Sequence, residues 1–528
     1  MDGSAPKGQA IQVLVMNTLA FTVCFAAWMM NGVLVTFLVD NQVFEFSKVQ
    51  IGWLIGTPVL TGAITRLPVG LLTDKYGGRV VYTVLMLISA IPMWLMSTAN
   101  TYGEFLLFSL GFGLTGASFA VGIAYTSVWF ERSRQGTALG IFGAGNAGAA
   151  LTSLGAPTLL GYLTAGSVGM EGWRSLPKIY AAALATTAVI FWFMTHTKKL
   201  VDADSKTMRE RLKPLGEMRV WRFGLYYFFV FGGFVALAQW LIPYYVNVYA
   251  MSVVTAGLMA SIFSLPSGVI RALGGWLSDL LGARSVMYWV LAVSAACCLF
   301  LTVPRMDIAA PGQGVMAPAS GTITAVSAES VTIGNRTLPL QTMPPDSVSL
   351  INDPDVLILP AFEFWQEPVV VTGQEVKKKE LLARGVTHIY FQANVWIFTA
   401  LVFALGIAMG IGKAAVYKHI PDYFPHDVGV VGGIVGVLGG LGGFVCPIIF
   451  GYLLQGTGIW TTCWLFFLAL TVGCLIWMHL VVRRMLKARD PELLRHMEHT
   501  TAEFEESGDA PEASDGAPVL TRLGGGTA

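Results

Sequence analysis

Twelve apolar runs, each long enough to cross a bilayer, dominate this sequence. A membrane-spanning helix needs about 20 predominantly apolar residues, and this chain is 54% hydrophobic and only 12% charged. The sequence therefore predicts an all-α polytopic membrane protein with twelve transmembrane helices. The predicted spans are 11–38, 47–73, 80–98, 103–130, 137–165, 177–196, 221–250, 253–280, 286–304, 392–418, 427–455 and 458–483.

One short pattern occurs twice and divides the spans into two halves. Five positions of the stretch TRLPVGLLTDKYGGR at 65–79 return 205 residues later. One displacement for five matches indicates an internal duplication, and repeats of this kind are common in transporters. The matched pairs are Arg66 with Arg271, Gly70 with Gly275, Asp74 with Asp279, Gly77 with Gly282 and Arg79 with Arg284. We call the segments 70–79 and 275–284 the GxxxDxxGxR loops.

A second repeated pattern locates an insertion in the second half. Its displacement is 290 residues, and it matches Pro157, Gly161, Tyr162 and Leu163 with Pro447, Gly451, Tyr452 and Leu453. About 85 extra residues must therefore lie between the eighth and eleventh spans. The polar segment 305–391 has this length, and its short alternating runs predict a small β-rich domain outside the membrane.

These patterns predict the domain organisation and the orientation in the membrane. The predicted segments are a six-helix bundle at 1–196, a linker at 197–220, a second six-helix bundle at 221–304 and 392–484, the insertion at 305–391 and a disordered tail at 485–528. The short loops on the side of the GxxxDxxGxR loops carry most of the Lys and Arg residues. The positive-inside rule then predicts that both termini are cytoplasmic and that the insertion is periplasmic.

The composition gives no indication of several other functions. The net charge of +1 gives no sign of nucleic-acid binding. All six cysteines lie in apolar spans without metal-ligand spacing. We therefore expect no cofactor, no metal site and no enzymatic activity.

The duplicated arginines are the strongest candidates for a binding site. Arg66 and Arg271 both lie within predicted spans, roughly 12 Å inside the GxxxDxxGxR loops if each span is helical. A charged residue at this depth normally has a functional role, and two guanidinium groups that face one cavity would select a small planar oxyanion. In the alternative interpretation, each arginine neutralises a carboxylate of its own half. The spans offer no such carboxylate near mid-membrane.

Glycine stripes run along the fifth and eleventh spans, where small residues permit close helix contact. Asn146 lies in the first stripe, and its amide has two interpretations: it donates to the anion or it bonds to a neighbouring helix. The glycines that we assign to helix packing are Gly140, Gly143, Gly145, Gly148, Gly432, Gly436, Gly439 and Gly440.

Lys413 is the one candidate for an intramembrane proton carrier, because a buried lysine loses its proton readily. It lies nearer the end of its span than the arginines, so snorkelling of its ammonium to the membrane surface is the alternative. Phe119, Tyr227 and Phe231 also lie in spans, and their spacing by itself indicates packing.

The sequence resembles a known family. The two GxxxDxxGxR loops look like the signature of the major facilitator superfamily. TRLPVGLLTDKYGGR, GTALGIFGAGNAG, VIRALGGWLSD and DVGVVGGIVGVLGGLGGF resemble the nitrate/nitrite porter family within it. The resemblance implies the major facilitator fold, in which two pseudo-symmetric six-helix bundles enclose a central site. The insertion at 305–391 departs from the family's usual pattern.

The resemblance also implies roles for individual residues. Arg66, Arg271 and Asn146 match residues that bind the substrate anion, and Tyr227, Phe231 and Phe119 match aromatic residues that clamp it. Asp74, Arg79, Asp279 and Arg284 match residues that hold the cytoplasmic side closed. The segment MGIGKAAVYKHIPDYFP around Lys413 resembles the proton-symport branch of the family.

The resemblance predicts a bacterial inner-membrane transporter that moves nitrate, and also nitrite, by nitrate/proton symport. Nitrate/nitrite antiport is the alternative coupling. A membrane nutrient sensor that uses the insertion is the alternative from another class of protein. The expected partners are the anion, protons and the lipid bilayer, and we expect a monomer.

Overall fold

The computed structural model describes residues 7–130, 132–166, 169–198, 213–303, 306–343, 361–391, 393–424 and 428–489. Most of these residues are helical, and two small antiparallel sheets lie between residues 306 and 391. The predicted all-α membrane fold with a β-rich insertion is therefore confirmed.

The first repeat folds into nine α-helices within the described residues. Ser47 and Thr101 begin two of them with capping boxes, in which the side chains of Gln50 and Glu104 reach back to the backbone N–H of the cap residue. The helices are α1 (Lys7–Trp28), α2 (Met30–Asp40), α3 (Lys48–Tyr76), α4 (Gly78–Leu95), α5 (Tyr102–Phe112), α6 (Ser118–Trp129), α7 (Arg132–Gly143), α8 (Gly148–Thr164) and α9 (Ser175–Met194).

The second repeat contributes eight further α-helices to the described part of the chain. A π-helical turn, Phe228–Gly233, joins the first two. The helices are α10 (Met218–Tyr227), α11 (Phe234–Tyr249), α12 (Val253–Val269), α13 (Arg271–Leu281), α14 (Ala283–Leu301), α15 (Val395–Tyr423), α16 (Val428–Thr457) and α17 (Thr462–Arg489). One compact unit ends at Val472, and the remainder of α17 belongs to a second unit.

The number of clear membrane spans is slightly below the predicted twelve. Among the described residues, ten helices are long and apolar enough to cross a membrane, or up to eleven if the bent pair α12 and α13 is one span. The segment predicted as the fifth span is helical in α7 and α8 but is not among them. Its glycines and Asn146 lower its mean hydropathy, because residues selected for close packing contribute little apolar surface.

The insertion folds into two antiparallel sheets. One has the strand order β1-β7-β5 and the other β4-β3-β2-β6. A small apolar core that includes Ile323, Val331 and Leu382 stabilises it. The strands are β1 (Met306–Met316), β2 (Gly321–Val326), β3 (Ser330–Ile333), β4 (Arg336–Pro339), β5 (Ala361–Pro368), β6 (Glu375–Val376) and β7 (Leu381–Phe391).

The predicted linker and tail lie largely outside the described residues, which omit 199–212 and 490–528. The described end of the linker forms a 3₁₀ turn at Lys213–Gly216, and α10 then begins at Met218. Residues 485–489, which we predicted as the start of the disordered tail, continue α17.

Corresponding spans of the two repeats differ in shape. The helix α3 is unbroken although it contains Pro58 and Pro68. Its counterpart is bent by 51° between α12 and the part of α13 from Leu273 onward. Pro266 lies near the end of α12 and removes one backbone donor. Because α3 tolerates two prolines without a break, proline alone does not account for the bend.

Glycines bring the two repeats into close contact on one side of the arginines. A Cβ added to Gly56 of α3 would lie 2.6 Å from the Phe444 carbonyl oxygen of α16, and one added to Gly440 would lie 2.7 Å from Ala63 Cβ. One turn past each arginine, towards the GxxxDxxGxR loops, a Cβ added to Gly70 or Gly275 would meet nothing within 4 Å. The contact between α3 and α16 is therefore tight on one side of the arginines, and Gly70 and Gly275 border open space on the other.

We expect Gly56→Leu to destabilise the purified protein and Gly70→Leu to leave its stability unchanged. Leucine at 56 must displace the α16 backbone, whereas leucine at 70 extends into open space. A loss of 1 kcal/mol lowers the melting temperature by roughly 2–4 °C in domains of 150–250 residues, and we expect at least this drop for Gly56→Leu. Thermal melts in one detergent measure it, and equal melting temperatures would contradict the contact.

Candidate functional site

Arg66 lies in the middle of α3 and is only 3% exposed. Its Nη1 donates to the Gly436 carbonyl of α16 at 2.6 Å, and its Nε donates to the Gly116 carbonyl at 3.4 Å. Its Nη2 is buried and has no hydrogen-bond partner. Buried polar groups are nearly always paired, so this N–H group is available to a ligand.

Arg271 is the first residue of α13, directly after the bend. It is partly exposed, but its Nη1 is buried and has no hydrogen-bond partner. The side chain passes close to Gly143 of α7, where an added Cβ would lie 3.2 Å from the arginine Cδ. The second arginine therefore also presents an unused donor.

The two guanidinium groups share one aromatic ring. The Cζ atoms of Arg66 and Arg271 each lie 5.3 Å from the centroid of Phe119. The two positive charges therefore lie against the same ring. In the described part of the chain, the ion pairs involve other cations, namely Arg174, Arg384, His388 and Lys418. The alternative in which each arginine neutralises a carboxylate therefore gains no support.

The predicted aromatic residues are gathered around the arginines. Phe119 and Phe231 stack with centroids 6.1 Å apart, and Phe231 lies 5.0 Å from the Arg66 Cζ. The rings of Tyr227 and Phe231 are nearly parallel, with centroids 5.1 Å apart. The aromatic faces and the guanidinium groups therefore enclose one small, flat-walled site.

Two site residues escaped the sequence analysis. Tyr417 packs edge-on against Tyr227 at 4.9 Å, lies 5.5 Å from the Arg271 Cζ and donates to the Gly432 carbonyl at 3.0 Å. Its position four residues after Lys413 in one predicted span is a signal that could have identified it. Trp28 lies 5.8 Å from the Arg66 Cζ, and nothing in the sequence distinguishes it from other aromatic residues of the spans.

Two further polar groups are buried here without partners. Asn146 is fully buried in the 3₁₀ turn Ala144–Ala147, and neither its amide nitrogen nor its amide oxygen has a hydrogen-bond partner. The Tyr227 hydroxyl is also buried without a hydrogen bond of good geometry, although Tyr417 and Arg271 lie beside it. An unsatisfied buried group costs about 1–3 kcal/mol. The structure shows no hydrogen bond from Asn146 to a neighbouring helix, and its role in anion binding stays a prediction.

Several predicted packing glycines also make room for the site. Gly436 and Gly440 of α16 lie beside the Arg66 guanidinium, and Gly143 of α7 lies beside Arg271. Each arginine therefore lies against the glycine helix of the opposite repeat. The other described contacts join Gly439 to Tyr227, Gly432 to Tyr417, and Gly145 and Gly148 to α1; Gly140 lies about one turn before Gly143 on α7.

Three charged residues of the GxxxDxxGxR loops bond within their own repeats. Arg79 donates to the Trp192 carbonyl of α9 at 2.6 and 2.9 Å. Asp279 pairs with Lys418 at 2.5 Å, and Arg284 donates to the Tyr423 hydroxyl at 3.1 Å. Asp74 lies at the corresponding end of α3. Their gating role stays a prediction.

Lys413 is fully buried and does not snorkel. Its Nζ donates to the carbonyl oxygen of Ser267 at 3.1 Å and to the Ser267 hydroxyl at 3.3 Å. It also lies 3.2 Å from the centroid of the Phe234 ring.

The assembled groups can bind an anion. The unused donors are Arg66 Nη2, Arg271 Nη1, the Asn146 amide nitrogen and the Tyr227 hydroxyl. Two of them carry positive charge, and charge-assisted hydrogen bonds to an anion are roughly twice as strong as neutral ones. Within the described residues, no cluster of His, Cys, Asp and Glu could hold a metal ion.

Comparison with known sequences identifies the class of protein. The family profile described as Major Facilitator Superfamily matches residues 18–347 and 381–510. The chain is 38% identical over 507 residues to the probable nitrate/nitrite antiporter NarK1 of Thermus thermophilus, a match that covers 95% of this chain and 96% of the relative. It is 34% identical over 293 residues to the probable nitrate/nitrite transporter NarK2 of Mycobacterium tuberculosis, covering 55% of this chain and 71% of the relative.

A solved structure has a similar fold. A bacterial homologue of the human lysosomal transporter Spinster, in an inward-facing and occupied conformation, matches with a TM-score of 0.60 over 92% of this chain and 99% of that one. The sequence identity is 16%, so this likeness shows the fold alone.

Fold, sequence profile and paired arginines together define a polytopic membrane transporter of the facilitator type. The chain belongs to the Major Facilitator Superfamily and, within it, to the NarK-type nitrate/nitrite porter family.

We expect Asn146→Leu to raise the melting temperature of the ligand-free protein. The change removes a buried amide that has no partner, whose burial costs about 1–3 kcal/mol. Asn17→Leu is the matched control: Asn17 is equally buried, but its amide donates to the Gly122 carbonyl and to Thr126 Oγ1, so this change should lower the melting temperature. If both variants melt lower than the parent, Asn146 has a structural bonding role.

Proposed function

We propose that this protein moves nitrate, and also nitrite, across the membrane by alternating access. The observation that carries the proposal is the pair Arg66 and Arg271, which face one aromatic ring with unused donors and no carboxylate partner among the described residues. The names of the Thermus and Mycobacterium relatives support the same substrates.

The chemistry of the site favours a small planar oxyanion. Guanidinium presents a rigid, planar fork of N–H groups that matches two oxygens of such an anion. The nearly parallel rings of Tyr227 and Phe231 provide flat apolar surfaces, and Asn146 adds a neutral donor. Nitrate and nitrite are planar and carry one delocalised charge, so they suit two forks and flat walls better than a tetrahedral anion does.

Charge neutralisation links binding to movement in this proposal. Without an anion, two like charges at the contact between the repeats oppose their approach. A bound anion cancels part of that charge and bridges the donors of both repeats. Only the protein with a bound anion then passes readily through the state in which the two repeats are closed around the site. The gap next to Gly70 and Gly275 would be the route by which the anion leaves on the side of the GxxxDxxGxR loops.

Proton symport is the coupling that the sequence predicted, and it needs a proton carrier. An interior-negative potential opposes anion entry by about 2.3 kcal/mol per charge per 100 mV, so at least two protons must accompany each nitrate to make entry electrically favourable. The candidates are Lys413 and the substrate itself.

Nitrate/nitrite exchange is the second candidate, and one observation favours it. No ion pair among the described residues brings a carboxylate to either arginine. Exchange needs no proton carrier, because each outgoing anion balances an incoming one. The Thermus relative is also named as an antiporter.

We expect Arg66→Lys and Arg271→Lys each to reduce nitrate uptake into proteoliposomes by roughly 10- to 100-fold. Lysine keeps the charge but loses the fork, and a lost hydrogen bond to a charged group costs about 1.5–3 kcal/mol, where 1.4 kcal/mol is a factor of ten. Arg174→Lys is the control, because Arg174 bonds to carbonyl groups of Ser97 and Ala99 away from the site. Full uptake in both site variants would overturn the proposal. A membrane sensor would give no flux even in the parent protein.

We expect nitrite loaded inside the liposomes to accelerate nitrate uptake without a pH gradient if the coupling is exchange. Symport predicts the opposite pattern, in which an inward proton gradient drives uptake into empty liposomes and internal nitrite is not needed. Measuring initial rates with labelled nitrate under the four combinations of gradient and internal nitrite separates the two mechanisms.

A further inference from the structure

Arg271 owes its place to the bend that precedes it. The residue opens α13, and the preceding turn residue Ile270 ends α12. By contrast, Arg66 lies within an unbroken helix. The position of the second guanidinium therefore depends on what holds the bend in shape.

The carbonyl of Ser267 lies next to the interruption between α12 and α13. At the bend, backbone hydrogen bonds run from Ile270 N to Pro266 O at 2.9 Å and from Gly274 N to Ile270 O at 3.1 Å. Neither uses the carbonyl of Ser267, which lies four residues before Arg271. A helix interrupted in this way must satisfy such a carbonyl with another donor.

The ammonium group of Lys413 supplies that donor. Its Nζ donates to the Ser267 carbonyl at 3.1 Å and to the Ser267 hydroxyl at 3.3 Å. The third face of the ammonium lies 3.2 Å from the centroid of Phe234, where the ring's negative face attracts a cation. The side chain is fully buried, so these contacts replace its hydration.

The two helices that flank the bend, α12 and α13, both pack against α15, the helix that carries Lys413. An added Cβ at Gly410 of α15 would lie 2.9 Å from the Ser267 carbonyl oxygen, and one at Gly406 would lie 2.9 Å from the Phe263 carbonyl oxygen. On α13, an added Cβ at Gly274 would lie 2.6 Å from the Ile411 carbonyl oxygen. Lys413 therefore lies at the junction of a close backbone contact that spans the bend.

We infer that Lys413 is a positioning residue that fixes the bend between α12 and α13 and thereby aims Arg271 into the anion site. Its ammonium takes the role that a backbone N–H has in an unbroken helix. The inference rests on the proposed function, because it gives Arg271 an anion to bind. It differs from proton carriage, which requires Lys413 to release its proton during each cycle.

The test is nitrate/nitrite exchange in proteoliposomes at one pH on both sides. Lys413→Met removes the donor at similar side-chain length, and Lys413→Gln restores a neutral donor. We expect Lys413→Met to raise the KM for nitrate by about tenfold or more, the factor that one lost hydrogen bond to a charged group corresponds to. We expect Lys413→Gln to recover part of the affinity, and the pH profile of exchange to stay unchanged.

Lys178→Met is the matched control, because this half-buried lysine lies next to Trp94, outside the candidate site, and should leave KM unchanged. Two results of the transport assay would overturn the inference. One is an unchanged exchange KM in Lys413→Met together with loss of uptake driven by a proton gradient, which is the pattern of a proton carrier. The other is equal KM values in Lys413→Met and Lys413→Gln.

A second measurement keeps this inference separate from the proposed function. Amide hydrogen exchange of α13 in detergent does not depend on transport, and we expect Lys413→Met to accelerate it relative to the parent and to Lys178→Met. If the parent protein does not transport nitrate but α13 still loosens, the substrate assignment fails and the structural role of Lys413 stands. If transport is present and α13 exchanges at the parent's rate in Lys413→Met, the positioning role fails.

Discussion

Two positive charges that pair with no carboxylate among the described residues are the constraint on which the site depends. An arginine at the centre of a membrane helix costs about 2.5–3.5 kcal/mol on insertion scales, and this protein places two of them at one phenylalanine ring. The surrounding residues reduce that cost with backbone carbonyls and aromatic faces, which attract a cation without neutralising it. The remaining charge and the unused donors make the site suitable for an anion.

The hydrogen bond from Arg66 to Gly436 connects the site to the contact between the repeats. The arginine belongs to the first repeat and the carbonyl to the second, and Gly143 of the first repeat lies beside Arg271 of the second. Both arginines therefore pack against the glycine helix of the opposite repeat, where a larger side chain would fill the space that they occupy. A ligand that changes how the guanidinium groups are bonded also changes how the repeats meet.

The two repeats reach similar positions for their arginines by different means. The first uses a continuous helix, and the second uses a bend of 51° that is seated on glycines of α15. The lysine at this junction belongs only to the second repeat, because its equivalent 290 positions earlier is Ile123. Both repeats thus keep an arginine at the site, but the backbone structure that positions the arginine differs between them.

The sequence by itself determined most of the spans, the duplication, the position of the β-rich insertion and the two arginines, because hydropathy and repeat spacing are properties of the chain taken in order. Three features depended on the tertiary structure. They are the aromatic ring that the arginines share, the presence of Tyr417 in the site and the partner of Lys413. These features depend on how each helix is rotated about its axis and on contacts between distant residues, such as Arg66 with Gly436, 370 positions apart. Apolar spans have weak amphipathic patterns, so their sequences do not specify that rotation, and only close packing of the helices decides it.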